Sequence, residues 1–379
     1  SGNLSEALRW FRLVREIDCE DNEMALYYQI RSLTDYSDCL SSVGWIEESL
    51  YVMGEAIKKL NVLLNKGYLP QIIGFVYYSW GVVASAFYDY DEAINSYKQA
   101  INYMTDIYGE DCVELVHVNN QLASTLIYNN KVDEAFPILD SAIELSKREF
   151  GDNNISLLSS YSSYSLGYLL KDQLEKAREM ALESVRIAQE CHSTHNNPYL
   201  MLFFSNWFLG DYEASLRVAR LLLDVSKEKI QNDLISLSEE GWESYWIGNG
   251  APLLPLIANS SVKVEDEDGL LYDASLFCKG LLLNSYHQLK NTIASDTTGS
   301  LLKLRDKYKR LFAQAELLSQ GDEISQKKAD KKRNEALQIE SEMMKISLDL
   351  NDYMKETQCS WKEVESKLGD GEVAIEIVR

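Results

Sequence analysis

No run of ~18 consecutive apolar residues occurs in this 379-residue chain, which excludes a membrane-spanning helix. Ser1-Gly2-Asn3-Leu4 opens without the basic and apolar regions of a secretory leader. Proline is scarce, at 5 residues. Proline removes a backbone donor and clashes with the preceding turn, so its scarcity favours long helices. Cations are outnumbered, with 37 Lys and Arg against 59 Asp and Glu and a net charge of −22. Such a surface repels a phosphate backbone on average, which argues against nucleic acid as a direct partner. The basic run Lys327-Lys328 and Lys331-Lys332-Arg333 stands in a Glu-rich helical stretch and reads as a solvated helix face. The 6 Cys show no CxxC spacing and stand mostly in apolar, helical contexts. That is the pattern of reduced thiols in a cytoplasmic protein rather than of a disulfide framework.

Reactive groupings are equally sparse. Of the 4 His, His192 and His195 stand beside Cys191 with metal-like spacing. The adjoining Asn196-Asn197-Pro198 marks an inter-helix loop, and no second Cys or His cluster offers the remaining zinc ligand. Glu265-Asp266-Glu267-Asp268-Gly269 lacks the alternation of a calcium loop and reads as the acidic start of a helix, where it complements the helix dipole. No phosphate-cradling or dinucleotide fingerprint is present. No catalytic, cofactor-binding or metal-binding residue is therefore assigned.

What the chain does have is self-similarity. Asp91-Glu92-Ala93-Ile94, Asp133-Glu134-Ala135-Phe136 and Leu174-Glu175-Lys176-Ala177 place Ala93, Ala135 and Ala177 at 42-residue intervals. Tyr97, Leu139 and Ala181 keep the same register, as do Ala100, Ala142 and Ser184. A small residue lies 12 positions before each marker alanine: Gly81, Ala123 or Ser165. Gly44 with Ala56 keeps that interval upstream, and Asp211-Tyr212-Glu213-Ala214 marks a copy downstream. Gly2-Asn3-Leu4-Ser5-Glu6-Ala7 reads as the second helix of a partial first copy. Small residues in these two columns let paired helices approach closely, and apolar residues at three- and four-residue spacing fill the stripe between them. One pair cannot bury its stripe alone, so neighbours stack into a superhelix with a concave face.

Tyr161, Tyr164, Ser165 and Tyr168 fill the W-x2-L-G-x2-Y positions, and the array resembles the tetratricopeptide repeat. Its 42-residue form is similar to the repeats of kinesin light chains and many bacterial signalling proteins. About six repeats, the first one partial, are expected over residues 1–230. The concave face belongs to the first helix of each pair. Counted from the small-residue column, its candidate partner-binding positions are Tyr78, Val82, Asn120, Ser124, Tyr128 and Ser162. Tyr and Asn there would bond an extended protein or peptide segment while offering contact area. The competing reading is that several of them pack against the next repeat.

After about residue 230 the register ends. Residues 231–268 read as a helical connector, bearing Leu237-Ser238-Glu239-Glu240 and Trp242 to Trp246, followed by the acidic loop. Residues 269–379 read as a helix from Leu270 to Leu283, a helical hairpin over about 300–318 and 327–356, and a short helix from Trp361. Glu372-Val373-Ala374-Ile375-Glu376-Ile377-Val378 alternates as one terminal β-strand. The fold class expected is thus all-α, a tetratricopeptide-type superhelix of antiparallel helix pairs followed by a helical hairpin and that strand.

Leu271-Tyr272-Asp273-Ala274 through Lys279-Gly280-Leu281-Leu282-Leu283 resembles the opening helix of CHAT domains, the caspase-like peptidases that follow tetratricopeptide arrays. Ser360-Trp361-Lys362-Glu363-Val364, Leu368 and Gly371-Glu372-Val373-Ala374-Ile375-Glu376 resemble the same domain. The block from Leu237 to Trp246 is similar to the connector in Bacteroidetes-type members. The resemblance implies a bacterial cysteine endopeptidase of signalling or defence, with the repeats as sensor or substrate arm. The family's catalytic His stands in a His-Gly context after a later strand, and its Cys follows a further one. Neither stretch occurs in these 379 residues, so no catalytic residue is carried over. The alternative expectation is a free-standing tetratricopeptide scaffold that binds proteins or peptides in its groove.

Overall fold

The computed structural model describes residues 10, 11, 13–15, 17, 22–42, 45–67, 71–234, 253–264, 269–278, 300–319, 328, 329, 331, 332, 335, 336, 339, 360–369 and 372–374. The chain divides into two compact units, Ser1–Asp233 with Glu240–Glu265, and Leu234–Glu239 with Asp266–Arg379.

The first unit is built of helix pairs: α1 (Glu23–Ser42) with α2 (Ile46–Asn65), α3 (Ile73–Ala86) with α4 (Tyr90–Tyr108), and α5 (Glu114–Tyr128) with α6 (Val132–Phe150). Then come α7 (Ser156–Leu170) with α8 (Leu174–Glu190), α9 (Asn197–Phe208) with α10 (Tyr212–Leu234), and α11 (Leu253–Lys263). The turns inside the pairs share one chemistry. Tyr88, Asn130, Asp172 and Gly210 are left-handed, with φ of 62°, 59°, 57° and 79°. The next N–H then reaches back to a carbonyl of the finished helix: Asp89 to Ala84 (3.0 Å), Lys131 to Leu126 (2.8 Å), Gln173 to Tyr168 (2.9 Å) and Asp211 to Asn206 (3.0 Å). This Schellman closure satisfies carbonyls that the helix end would otherwise leave bare, and it reverses the chain.

The same closure corrects the register at both ends of the array. Trp45 N–H reaches Leu40 O at 2.9 Å, which makes Ser49 the counterpart of Ala93. Ser37 Oγ donates to Ser49 O at 3.0 Å, just as Ser165 Oγ donates to Ala177 O at 2.8 Å. The upstream marker is therefore Ser37 with Ser49, not Gly44 with Ala56. Ala56 is buried, but it stands in the next small column with Ala100, Ala142 and Ser184. Downstream the marker is Ser215, whose Oγ donates to Phe203 O at 3.3 Å, rather than Ala214 one position before it.

Inside each pair the facing side chains trade volume. A Cβ on Gly81 would lie 2.6 Å from the Tyr97 ring, so only glycine admits that tyrosine. Where the small-column residue is Ala123, the partner position holds Leu139; where it is Ser165, it holds Ala181. In the last pair the order inverts, with buried Phe203 on the first helix and buried Ala219 on the second. Interiors packed near crystal density require this matching. Successive first helices, α1 on α3, α5 on α7 and α7 on α9, pack on one another, which sets them on the inner side of the stack.

In the second unit, helical residues 270–278 precede α12 (Ser300–Ser319) and α13 (Trp361–Glu365). Leu311, Ala336 and Ile339 form a buried cluster with Leu304 and Tyr308, the packing of a helical hairpin. Ser360 caps α13 in a reciprocal capping box with Glu363. Trp361 N–H donates to Asp273 Oδ1 at 2.7 Å. Gly269 (φ 63°) lies so close to the Trp361 indole that a Cβ would fall 2.8 Å from it. Residues 372–374 of the expected strand are described and are not in a strand; 375–378 lie outside the described residues. A strand exists only through a neighbour's hydrogen bonds, and no described segment supplies one. The connector 235–252, the acidic residues 265–268, the helix beyond 278, His287, most of the second hairpin helix, residues 375–378, Gly44 and Gly2 to Ala7 lie outside the described residues.

Candidate functional site

The candidate positions sit on α3, α5 and α7, fixed by the register of the small-residue column. Two are consumed by packing, Asn120 between repeats and Ser162 inside its own helix pair. Asn120, 5% exposed, accepts from Ser160 Oγ at 2.6 Å and donates to Ser156 O at 3.1 Å. Ser162, 6% exposed, shares a 3.0 Å hydrogen bond with Ser184 Oγ. Both polar groups are satisfied inside the stack, so neither is offered to a partner. Tyr78, Val82 and Ser124 are half-buried, and Tyr128 is 56% exposed. The Tyr128 ring stacks on Tyr90, with centroids 6.2 Å apart.

Tyr128 is not alone in its register. Leu170 and Phe208 occupy the same position at the ends of α7 and α9, 55% and 60% exposed. Large apolar side chains held in water along successive first helices form a row that the isolated segments do not announce.

The corrected register adds a further group. With Ser49 as marker, Asp38 on α1 stands in the column of Val82 and Ser124. Its Oδ2 accepts from Ser79 Oγ at 3.1 Å, while its Oδ1 is buried with no hydrogen-bond partner. Burial pushes the Asp38 carboxyl up to about 7, a rise that Asp35 reinforces and that the Ser79 hydrogen bond and Arg31 oppose. Arg31 pairs with Asp35 at 3.4 Å and lies 3.8 Å over the Phe75 ring. Across the inner surface, burial first and the nearby Asp38 charge second push the Tyr78 hydroxyl up to about 12, although its hydrogen bond to Gln121 acts against them. Tyr78, Ser79, Phe75 and Asp38 thus form one polar cluster between α1 and α3.

Cys112 donates to Glu114 at 2.8 Å, and burial, with that carboxylate, raises its thiol away from the thiolate form. His195 Nδ1 is 2.7 Å from Ser193 Oγ, and Cys191 Sγ lies 3.9 Å from Asn153 O. Among the described residues no three His, Cys or carboxylate groups converge as a metal site. Nor is any described helix long and apolar enough to cross a membrane.

Residues 114–190, which hold α5 to α8, match the family model of the tetratricopeptide repeat. No curated protein matches the chain. Among solved structures, the chain is similar to BtubC (BKLC) from P. vanneervenii at 14% identity and a TM-score of 0.47, over 59% of this chain and 89% of that one. It is similar to the apo form of RapI at 14% identity and a TM-score of 0.45, over 89% and 98%. A Rap protein complexed with competence and sporulation factor gives 13% identity and a TM-score of 0.47, over 91% and 99%. Among the described residues the chain is all-α, and residues 114–190 carry tetratricopeptide repeats, an architecture suited to protein–protein interaction.

Proposed function

We propose that the inner helices hold an extended segment of a protein partner, and that the chain is the recognition arm of a CHAT-type, caspase-like cysteine peptidase. The groove is supported by the exposed row Tyr128, Leu170 and Phe208 beside half-buried Tyr78, Val82 and Ser124. Contiguous apolar surface kept in water marks contact sites. The peptidase reading is supported by the 2.7 Å bond from Trp361 N–H to Asp273, which joins the two CHAT-like segments across 88 residues of sequence. Hydrolysis in this reading belongs to a His-Gly and a later Cys outside these residues. A second reading, a free-standing scaffold, keeps the groove without the peptidase.

Two measurements test these parts separately. An array of acetylated dodecapeptides is probed with the full chain and with a Tyr128→Arg, Phe208→Arg variant of matched helix content. Loss of binding in the variant is expected, and retained binding places the partner elsewhere. Reading the coding sequence downstream tests the peptidase: absence of a His-Gly and a Cys at strand ends removes it and leaves the scaffold.

A further inference from the structure

The Asp38 cluster is out of keeping with the rest of the array. Elsewhere in its column the side chains are Val82, Ser124, Leu166 and Phe204, which suit a half-buried position without cost. Asp38 instead brings a carboxylate there, satisfies one oxygen through Ser79, and leaves Oδ1 buried without a partner. A buried polar atom left in this state is a standing penalty that folding alone does not explain. The nearby cation does not remove it: Arg31 pairs with Asp35 and stacks on Phe75. Two carboxylates therefore share one guanidinium, in a chain of net charge −22.

We propose that Asp38, framed by Ser79 and Tyr78, is a subsite for the protonated side chain of a lysine or arginine in a peptide partner. The proposal rests on the groove reading above and names one contact within it. A cation answers both the unpartnered oxygen and the surplus negative charge, and an N–H donor reaches a carboxylate with a charge-assisted hydrogen bond. The ring of Tyr78 gives its aliphatic stem an apolar wall. A metal ion fits poorly, because among the described residues no third His, Cys or carboxylate completes a ligand set there.

Binding requires the ionised carboxyl, so affinity for a basic peptide rises between pH 6 and pH 8. The titratable groups facing Asp38 are Arg31 and Asp35 on its own helix, Tyr78 on α3 and Tyr97 on α4. None of these four normally changes charge in that window.

The test uses the full chain and the acetylated, C-amidated dodecapeptide array at pH 8, which removes terminal amines as an alternative cation. Peptides with Lys or Arg at one fixed position are expected to be enriched. For the best of them, calorimetry should show Asp38→Asn weakening binding about ten- to hundredfold, the loss of one charge-assisted contact. Replacing that Lys by norleucine, or that Arg by citrulline, should weaken binding to the native chain equally, with no further loss in the variant. Peptides that bind without a basic residue, or bind the variant as tightly, overturn the subsite and leave the groove standing. An array with no bound peptide overturns both.

Discussion

The Asp38→Asn substitution should make this protein more stable, and only above about pH 4. Burial raises the carboxyl from 3.8 to about 7, so the native state binds its proton more tightly than the unfolded chain does. The sign follows from linkage: stability is fully present below pH ~4, is lost as pH rises towards 7, and stays flat beyond. A shift of about three pH units at ~1.36 kcal/mol each puts the loss at up to about 4 kcal/mol. Domains are stable by roughly 5–15 kcal/mol, so this is a sizeable share. Asparagine keeps an oxygen for the Ser79 hydroxyl and carries no titratable charge. Urea denaturation of both proteins at pH 4, 5, 6, 7 and 8.5 gives the difference directly. Taking that difference cancels carboxylates lowered by hydrogen-bonding partners, such as Asp91 beside Asn129 and Lys131, and Glu183 beside Arg186. The expected result is near equality at pH 4, a variant already more stable by about 1–2 kcal/mol at pH 5, and one more stable by several kcal/mol at pH 8.5. A difference that does not change with pH, or a variant less stable at pH 8.5, would refute the reasoning.

Other positions make independent tests. Gly81→Ala should cost about 1–3 kcal/mol in thermal or urea melts, since its Cβ would fall 2.6 Å from the Tyr97 ring. Adding Tyr97→Leu, which reproduces the Ala123 and Leu139 combination of the next repeat, should recover most of that loss. Tyr88, left-handed at φ 62° and 78% exposed, gives up little packing; Tyr88→Gly should stabilise by about 1 kcal/mol, and an unchanged melting point would count against strain there. Asn120→Ala strands the Ser160 hydroxyl and the Ser156 carbonyl and should cost about 1–3 kcal/mol without changing peptide selectivity. Asp273→Ala removes the acceptor of Trp361 N–H, and limited trypsin digestion should then cut faster after Lys362 and Lys367.

The repeating helix pairs were legible because they rest on spacing. Ala93, Ala135 and Ala177, with Gly81, Ala123 and Ser165, state a close helix approach in residue types and intervals alone. The candidate site was legible only in part. Asn120 and Ser162 are polar residues on a helix face, a pattern equally compatible with solvent, and their partners Ser160 and Ser184 lie 40 and 22 residues away. Asp38 escaped notice because the first copy was read seven residues out of register. Seven residues are nearly two helical turns, so the Ser49 and Ala56 columns lie on one face and look alike in sequence. The hairpin closure at Trp45 distinguishes them.

By itself, then, the sequence determined the all-α class, the pairing of neighbouring helices and the columns where they touch, since these follow from side-chain size and period along one chain. Tertiary structure decided which inner-face residues meet water, which meet the next repeat, and that one Asp38 oxygen has no partner. Burial and hydrogen bonding across some forty residues belong to the stack, and no single helix encodes them.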